Sequence, residues 1–303
     1  MNAMNKELMW GKGIDRVIRT VLVVLLWVLS LSLLFPVFWM VNNSFKGDLE
    51  YYLTQSWELA EEFNWDGYKF FFENISYKVV KHEGTIIYTL PWMIYYSLVW
   101  AIVPPLFGTL LTFMCAYVIA KYRFPGRDFL FNLGIIVMIL PIVGSTGSAL
   151  MLRKALHIYD NMFLMILTGP AAAFSGMSFL VLHAAFKGLP WEYAEAVFID
   201  GGGHFRAFIT VMAPMALPSA MVFVLLGIIG NWNDYSTFLF WLPSYANLAR
   251  GIYYFQYVGR LELQASNPDI LAGFVVVSIP MVILYCSVQK IVTANFIVGG
   301  LKG

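Results

Sequence analysis

The sequence predicts an all-α integral membrane protein with six transmembrane helices, on three observations. First, 60% of the 303 residues are hydrophobic and 12% are charged, with a mean hydropathy of +0.71. A soluble domain carries about 25% charge, and one core cannot hide this much apolar surface, so the excess faces lipid. Second, the apolar residues fall into six long runs, 17–41, 92–120, 129–152, 162–186, 209–229 and 270–292. Third, the charges segregate. With the N-terminus in the cytoplasm, eleven of the nineteen Lys and Arg and six of the eighteen acids fall on cytoplasmic segments, a net +5 inside against −4 outside. Basic segments favour the cytoplasmic side, which sets the orientation and puts both termini there.

Residues 1–16 are a polar, basic cytoplasmic segment. The run 17–41 is longer than the ~7–15 residues of a signal-peptide core and has no small-x-small site at its end, so it reads as an uncleaved first span. Residues 42–85 are extracytoplasmic, rich in Asp and Glu and dense in aromatic residues, including Trp57, Trp65 and Phe70–Phe72. Such density predicts a folded excursion, either a partner surface or a cover over the span ends. Residues 86–292 form a transmembrane core of five spans. Its second span is broken near Pro104 and Pro105 and ends in the basic turn KYRFPGRD; its third holds Pro141 and then the small run Gly144, Ser145, Gly147, Ser148. A cytoplasmic loop covers 187–208, an aromatic extracytoplasmic loop 231–267, and a cytoplasmic tail 293–303. Prolines recur in the spans at 36, 104, 105, 141, 170, 214, 218 and 280. Neighbouring helices can satisfy the backbone groups these free, and kinked helices with small-residue faces suit a transport bundle better than an anchor.

The chemistry of catalysis is missing. His82, His157, His183 and His204 are scattered without metal-ligand spacing, and no G-x-S-x-G elbow or phosphate loop of the G-x-x-x-x-G-K-[ST] type occurs. Gly201–His204 has the look of an oxyanion loop but no nucleophile to serve. Cys115 and Cys286 lie in apolar runs and read as small buried side chains. A net charge of +1 gives a nucleic-acid partner no electrostatic support. His183 and Asp234 are the nearest approach to ionisable groups within the spans, whereas ion-coupled carriers keep charges at mid-membrane. The energy for transport is therefore expected from a partner.

The stretch from Phe186 to Ser219 is the one polar, glycine-rich interval of any length in the apolar C-terminal half. Trp191–Ile199 predicts a short helix. Pro190 suits its first turn, Glu192 and Glu195 suit its positive N-terminal end, and Gly201–Gly203 suit its C-cap. Ala194, Val197, Phe198 and Gly201 fall on one face at helical spacing, a small apolar face shaped to press into something.

This stretch resembles the E-A-A loop of the inner-membrane permease subunits of binding-protein-dependent ABC importers, and it is most similar to the carbohydrate family with six-span, maltose-type permeases. Pro190, Glu195, Ala196, Asp200, Gly201, Pro214 and Pro218 match the loop pattern. The turn Ala116–Arg127, the run Asn231-Trp232-Asn233-Asp234 and the ending Gly299–Gly303 are similar to further motifs of that family. Val197 stands at the third position of E-A-A, and Ala213 where leucine precedes the proline.

The resemblance implies the type I importer permease fold and a non-enzymatic permease subunit of the bacterial inner membrane. Glu195, Ala196, Val197, Phe198, Asp200 and Gly201 would form a coupling helix seated on a separate ATPase, which carries the ATP and Mg; this chain itself takes no cofactor. Phe198 would anchor in a pocket of that ATPase or pack on its own span. Glu195 would meet basic groups or serve only the helix N-terminus. The implied partners are a second, homologous permease subunit, two ATPase subunits and an extracytoplasmic solute-binding protein. The binding protein would meet the loop between the last two spans, through Tyr245, Asn247, Tyr253, Tyr254 and Gln256, unless those aromatics only anchor the chain at the membrane interface. The implied cargo is an oligosaccharide or other carbohydrate. A polyol or glycerol phosphate on the same machine, and a secondary carrier, are the alternatives; a phosphate cargo would want cationic groups on the pathway, and the spans supply almost none.

Overall fold

The structure is a computed structural model and describes residues 2–81, 84–140, 144, 146–169 and 173–298. His82, Pro141, Ser145, Pro170, Ala171 and the ending 299–303 lie outside the described residues. The described chain forms two compact units. One comprises residues 1–74 and 258–276, and the other 75–257 and 277–303.

The first unit begins with helix α1 (Asn2–Ser44), which runs unbroken through Pro36. At 1.5 Å per residue it is about 65 Å long, more than a bilayer of ~45 Å with its headgroups. From Val17 to Phe38 its large apolar side chains are exposed, Leu33 at 69%, as a lipid-facing helix requires. Helices α2 (Asp48–Leu53) and α3 (Asp66–Asn74) follow. The aromatic density of this region is a local core. The Phe45 ring lies 5.0–5.2 Å from those of Trp65, Phe63 and Tyr68, and the Tyr68 hydroxyl hydrogen-bonds Ser44 at 2.7 Å. Lys46, 2% exposed, donates to Thr54 Oγ1 and the Gln55 carbonyl, both at 3.1 Å.

The second unit opens with the two short strands of an otherwise helical fold. Strands β1 (Ser76–Lys81) and β2 (Gly84–Thr89) pair antiparallel, from Ser76 opposite Thr89 to Lys81 opposite Gly84. Tyr, Val, Ile and Thr dominate both segments, the residues that favour a pleated strand. Helix α4 (Leu90–Lys121) is continuous through Pro104 and Pro105, so the predicted break is absent. The predicted third span is two helices, α5 (Arg127–Ile139) and α6 (Thr146–Ala155); the fourth is α7 (Met162–Thr168) and α8 (Gly176–Gly188). After α9 (Glu192–Ile199) and α10 (His204–Ala207), a π-helical turn Phe208–Met212 leads into α11 (Ala213–Trp232). Pro214 would drive its ring into the carbonyl four residues earlier in a regular helix, and the wider turn just ahead of it relieves that clash. Helices α12 (Ser236–Phe240), α13 (Leu248–Glu262) and α14 (Asn267–Val298) complete the chain.

Among the described residues, four helices are long and apolar enough to cross a membrane without interruption: Asp15–Ser44, Leu90–Lys121, His204–Trp232 and Asn267–Ser287. Helix α4 packs against both α8 and α11. The approach to α11 is close because Gly227 has no side chain; a Cβ there would lie 2.7 Å from Pro105 Cβ. Of the two cysteines, Cys115 is half-buried, but Cys286 is exposed on α14 rather than buried.

Candidate functional site

Helix α9 ends in a Schellman motif. The Gly202 N–H donates to the Val197 carbonyl at 2.8 Å and the Gly201 N–H to the Phe198 carbonyl at 3.0 Å. Gly201 has φ +78°, a left-handed conformation that glycine adopts without strain. Gly202 is needed for space, since a Cβ there would stand 2.6 Å from Val197 Cγ1 and 2.9 Å from the Val197 carbonyl oxygen. Glu192 and Glu195 occupy the first turn, where negative charge is favoured. Pro190 lies ahead of the N-cap, Trp191, rather than within that turn.

The apolar face read from the sequence points the other way. Ala194 is fully buried, and Val197 and Phe198 are half-buried against one cluster built from α4, α8, α10 and α11, which includes Tyr117, Phe186, Ala207 and Ala216. The Phe198 ring lies 4.8 Å from His204 and 6.0 Å from Trp191. This face packs against the protein's own spans, with Phe198 half-buried there. Glu195, Ala196, Asp200 and Gly201 are exposed. Beside them are exposed apolar residues that sequence reasoning passed over, Ile199 at 86%, Phe205 at 73% and Tyr193 at 45%. A large apolar side chain spaced three or four residues from Glu195 and Ala196 was the available signal.

Two polar clamps tie this loop to the end of α4. Lys121 Nζ donates to the Leu189 carbonyl just ahead of α9. The Tyr122 hydroxyl meets Tyr117 at 3.2 Å and His204 Nδ1 at 3.1 Å. With the shared apolar cluster, these make α9 part of the helix bundle rather than a loose excursion.

At the other end of α4, α13 is held by a buried arginine. One terminal nitrogen of Arg250 donates to the carbonyls of Phe238 at 2.7 Å, Pro243 at 3.0 Å and Tyr245 at 2.8 Å, and the other to the Tyr77 hydroxyl at 2.5 Å. Burial pulls the guanidinium below its ordinary pKa, and Tyr77 opposes that shift. Nearby, the Tyr88 hydroxyl donates to the Ser244 carbonyl at 2.7 Å, and burial pushes its pKa up to about 12.

This packing sorts the binding-protein residues proposed from sequence. Asn247 is fully buried; its amide donates to the Asp234 carbonyl and its oxygen accepts from the Arg250 N–H. That is an internal capping role and corrects its assignment to a contact surface. Tyr245 is half-buried against Tyr96, and Tyr254 against Tyr77. Tyr253 stacks on Tyr235 at 4.8 Å and 11°, with Tyr257 next to it at 4.7 Å. Tyr235 and Tyr257, 41% and 56% exposed, complete a ladder of which Tyr235 lies outside the 245–257 stretch read from the sequence. Gln256 is half-buried.

Two cavities of about 600 and 560 Å³ share Pro105, Gly108, Gly169 and Gly227. Along α4 their walls extend from Trp100 to Thr112, about 18 Å of helix. The larger holds Asp234, whose two carboxylate oxygens both accept hydrogen bonds. One oxygen accepts from the Ser236 hydroxyl and the Thr237 N–H, the other from Trp100 Nε1 at 3.2 Å. Asn231 donates to the Trp100 carbonyl at 3.0 Å. The Asn231–Asp234 run therefore ties the C-terminal end of α11 and the start of α12 to α4 at Trp100. Arg153 also lines this cavity, with its guanidinium 4.1 Å from the centre of the Trp241 ring. This cavity thus holds a cation that the spans alone did not predict. No group of three or more His, Cys, Asp or Glu able to hold a metal occurs among the described residues.

Residues 108–296 match the family described as binding-protein-dependent transport system inner membrane component. The trehalose transport system permease protein SugB of Mycobacterium tuberculosis is 25% identical over 63% of this chain and 69% of its own length. The arabinooligosaccharides transport system permease protein AraQ of Bacillus subtilis is 27% identical over 95% of this chain and 97% of its own. A crystal structure of a bacterial ABC transporter involved in the import of the acidic polysaccharide alginate superposes with a TM-score of 0.66 at 19% identity, over 91% of this chain and 96% of that one. That likeness establishes the type I permease fold. With that family match over residues 108–296 and helices long enough to span a bilayer, the chain belongs to the binding-protein-dependent transport system inner membrane component family and is a transporter permease rather than an enzyme.

Proposed function

We propose that this chain is one permease subunit of an importer that moves an oligosaccharide or related carbohydrate delivered by an extracytoplasmic binding protein. The permeases of similar sequence are named for trehalose and arabinooligosaccharides, which supports that cargo class. It works beside a second, homologous permease and two cytoplasmic ATPase subunits that hold the ATP and Mg. Both termini and the 187–208 loop lie in the cytoplasm, in keeping with the charge bias of the segments.

One observation carries the reading: α9 is capped, clamped to α4 and packed into the spans on one face, while Glu195, Ala196 and Ile199 stand free on the other. A helix held this way transmits a push. When ATP closes the ATPase dimer, the groove holding the free face of α9 moves. The cluster shared by α9, α4, α8 and α11 carries that displacement into the spans, and the cavities switch from inward to outward access. Ala196 and Gly201 permit close approach, Ile199 supplies the apolar anchor, and Glu195 and Asp200 meet basic groups. On the outer side, the Tyr235–Tyr253–Tyr257 ladder offers the surface that a loaded binding protein would meet.

Purification and transport test this. The tagged chain should bring down an ATPase and a second permease, and uptake should stop with vanadate or with loss of the ATPase. A chain that purifies alone and transports in the presence of vanadate would be a secondary carrier instead.

A further inference from the structure

The larger cavity contains one cation whose hydrogen-bonding capacity is almost unused. Arg153 sits at the end of α6, half-buried, facing the 600 Å³ space bounded by Trp100, Asn231, Asp234 and Trp241. Its guanidinium has five N–H donors in a planar fork. Its partners are the Trp241 face and one long contact, 3.6 Å, to Met165 Sδ. Among the described residues no carboxylate lies within ion-pair distance of it. The other charge in the cavity, Asp234, is different in kind, because both its oxygens are already committed to Ser236, Thr237 and Trp100. The protein therefore satisfies the anion here and leaves the cation open.

An arginine placed this way has a cost. Partial burial removes water from a group that binds water strongly, and a thioether returns little. The Trp241 face, 4.1 Å from the guanidinium carbon, offsets part of this and restrains the fork. A fork so restrained suits bidentate binding of a carboxylate or phosphate. Neutral hydroxyls need no such group. Asn231, Thr168 and Thr237, which also line the space, would serve them.

We propose that Arg153 makes this cavity a receptor for an anionic substituent, a carboxylate or a phosphate, on an otherwise hydroxylated cargo. The inference rests on the carbohydrate-permease reading and narrows it to charged sugars. Trp241 and Met165 hold the guanidinium in register, Arg153 takes the anion, and the neutral part of the cargo extends along α4 towards Gly108.

The test is chemical protection of Arg153 in the chain held in lipid nanodiscs with its co-purified partners. The complex is treated with p-hydroxyphenylglyoxal, and the adduct at Arg153 is followed by peptide mass spectrometry in glucose, glucuronate or glucose 1-phosphate at equal concentration. The expected result is modification without sugar, a several-fold slower rate with one or both anionic sugars, and no slowing with glucose. The more protective anion distinguishes carboxylate from phosphate. No modification at Arg153 without sugar, or the same rate in all three sugars, overturns the proposal. The same preparations report ATP hydrolysis stimulated by binding protein. Stimulated hydrolysis with unprotected Arg153 rejects this inference alone, whereas absence of any ATPase rejects the permease reading beneath it. Arg153→Lys, which keeps the charge and loses the fork, should retain partial discrimination between anionic and neutral cargo in uptake, and Arg153→Gln none; equal discrimination in wild type and Arg153→Gln would also overturn the proposal.

Discussion

Replacing Gly201 by alanine puts a number on the rigidity of α9. Gly201 has φ +78° and nothing within 4 Å of where a Cβ would stand, so the substitution introduces backbone strain without a collision. For an L-residue that strain is about 1 kcal/mol. Since ~1 kcal/mol is about a five-fold change in an equilibrium, the cap should open about five times more often. The assay is hydrogen exchange at the Gly201 and Gly202 amides, which close the Schellman turn at 3.0 and 2.8 Å. Gly201→Asn should lose less, because asparagine tolerates the left-handed region. Gly202→Ala should lose more, because its methyl meets the Val197 carbonyl oxygen at 2.9 Å as well as Val197 Cγ1 at 2.6 Å. Overpacking of this kind costs about 1–3 kcal/mol. Adding Val197→Ala should recover the part due to Cγ1 and leave the part due to the carbonyl. If Gly201→Ala leaves exchange unchanged while Gly201→Asn accelerates it, the left-handed cap is not what holds the end of α9.

Three further outcomes follow from the packing. Arg250→Met should loosen the segment from Phe238 to Tyr245, since it strips donors from buried carbonyls whose desolvation costs about 1–3 kcal/mol each; limited proteolysis within 238–250 should accelerate while assembly of the spans persists. Tyr88 has its pKa raised from 10.0 to about 12, so its neutral form is favoured in the folded state, and the stability it contributes is complete below pH 10 and lost as pH rises from 10 to about 12. Tyrosinate absorbance of wild type against Tyr88→Phe should show one tyrosine titrating late. Gly227→Ala would place a methyl 2.7 Å from Pro105 Cβ, so it should force α4 and α11 apart and lower the melting temperature; the same change at Gly230, which has nothing within 4 Å, should not.

Much of the architecture was readable because lipid imposes a simple rule on composition. The runs 17–41, 209–229 and 270–292 each fall within a helix of the structure. The interruptions were harder. Pro104 and Pro105 resemble breaks in one dimension, yet α4 absorbs them, and α11 accommodates Pro214 by widening the turn before it. The 129–152 and 162–186 runs carry no stronger signal for their divisions than the prolines that failed to break α4. The strand pair Ser76–Lys81 and Gly84–Thr89 was hidden by the charges of Lys78 and Lys81, at the end of a segment read as acidic and aromatic.

The site shows the same division between pattern and packing. Helix α9, its C-terminal glycine and its acidic first turn were visible in sequence. Which face is free was not, because helical spacing groups Ala194, Val197 and Phe198 without saying whether a partner or the chain's own spans cover them. The structure buries that face and leaves Ile199 standing out. Val197, the departure at the third position of E-A-A, then has a place: it fills the space between α9 and the glycine cap. Nothing in the sequence singled out Arg153, since its cavity is assembled from helices far apart in sequence.

The most direct test of the central claim, that α9 takes hold of an ATPase with its outward face, is site-specific photocrosslinking in the membrane. A diazirine amino acid is placed singly at Ala194, Ala196, Val197 and Ile199. The account predicts adducts with an ATPase subunit from Ala196 and Ile199, and adducts only within this chain from Ala194 and Val197. ATPase adducts from Ala194 and Val197 with none from Ile199 would contradict it.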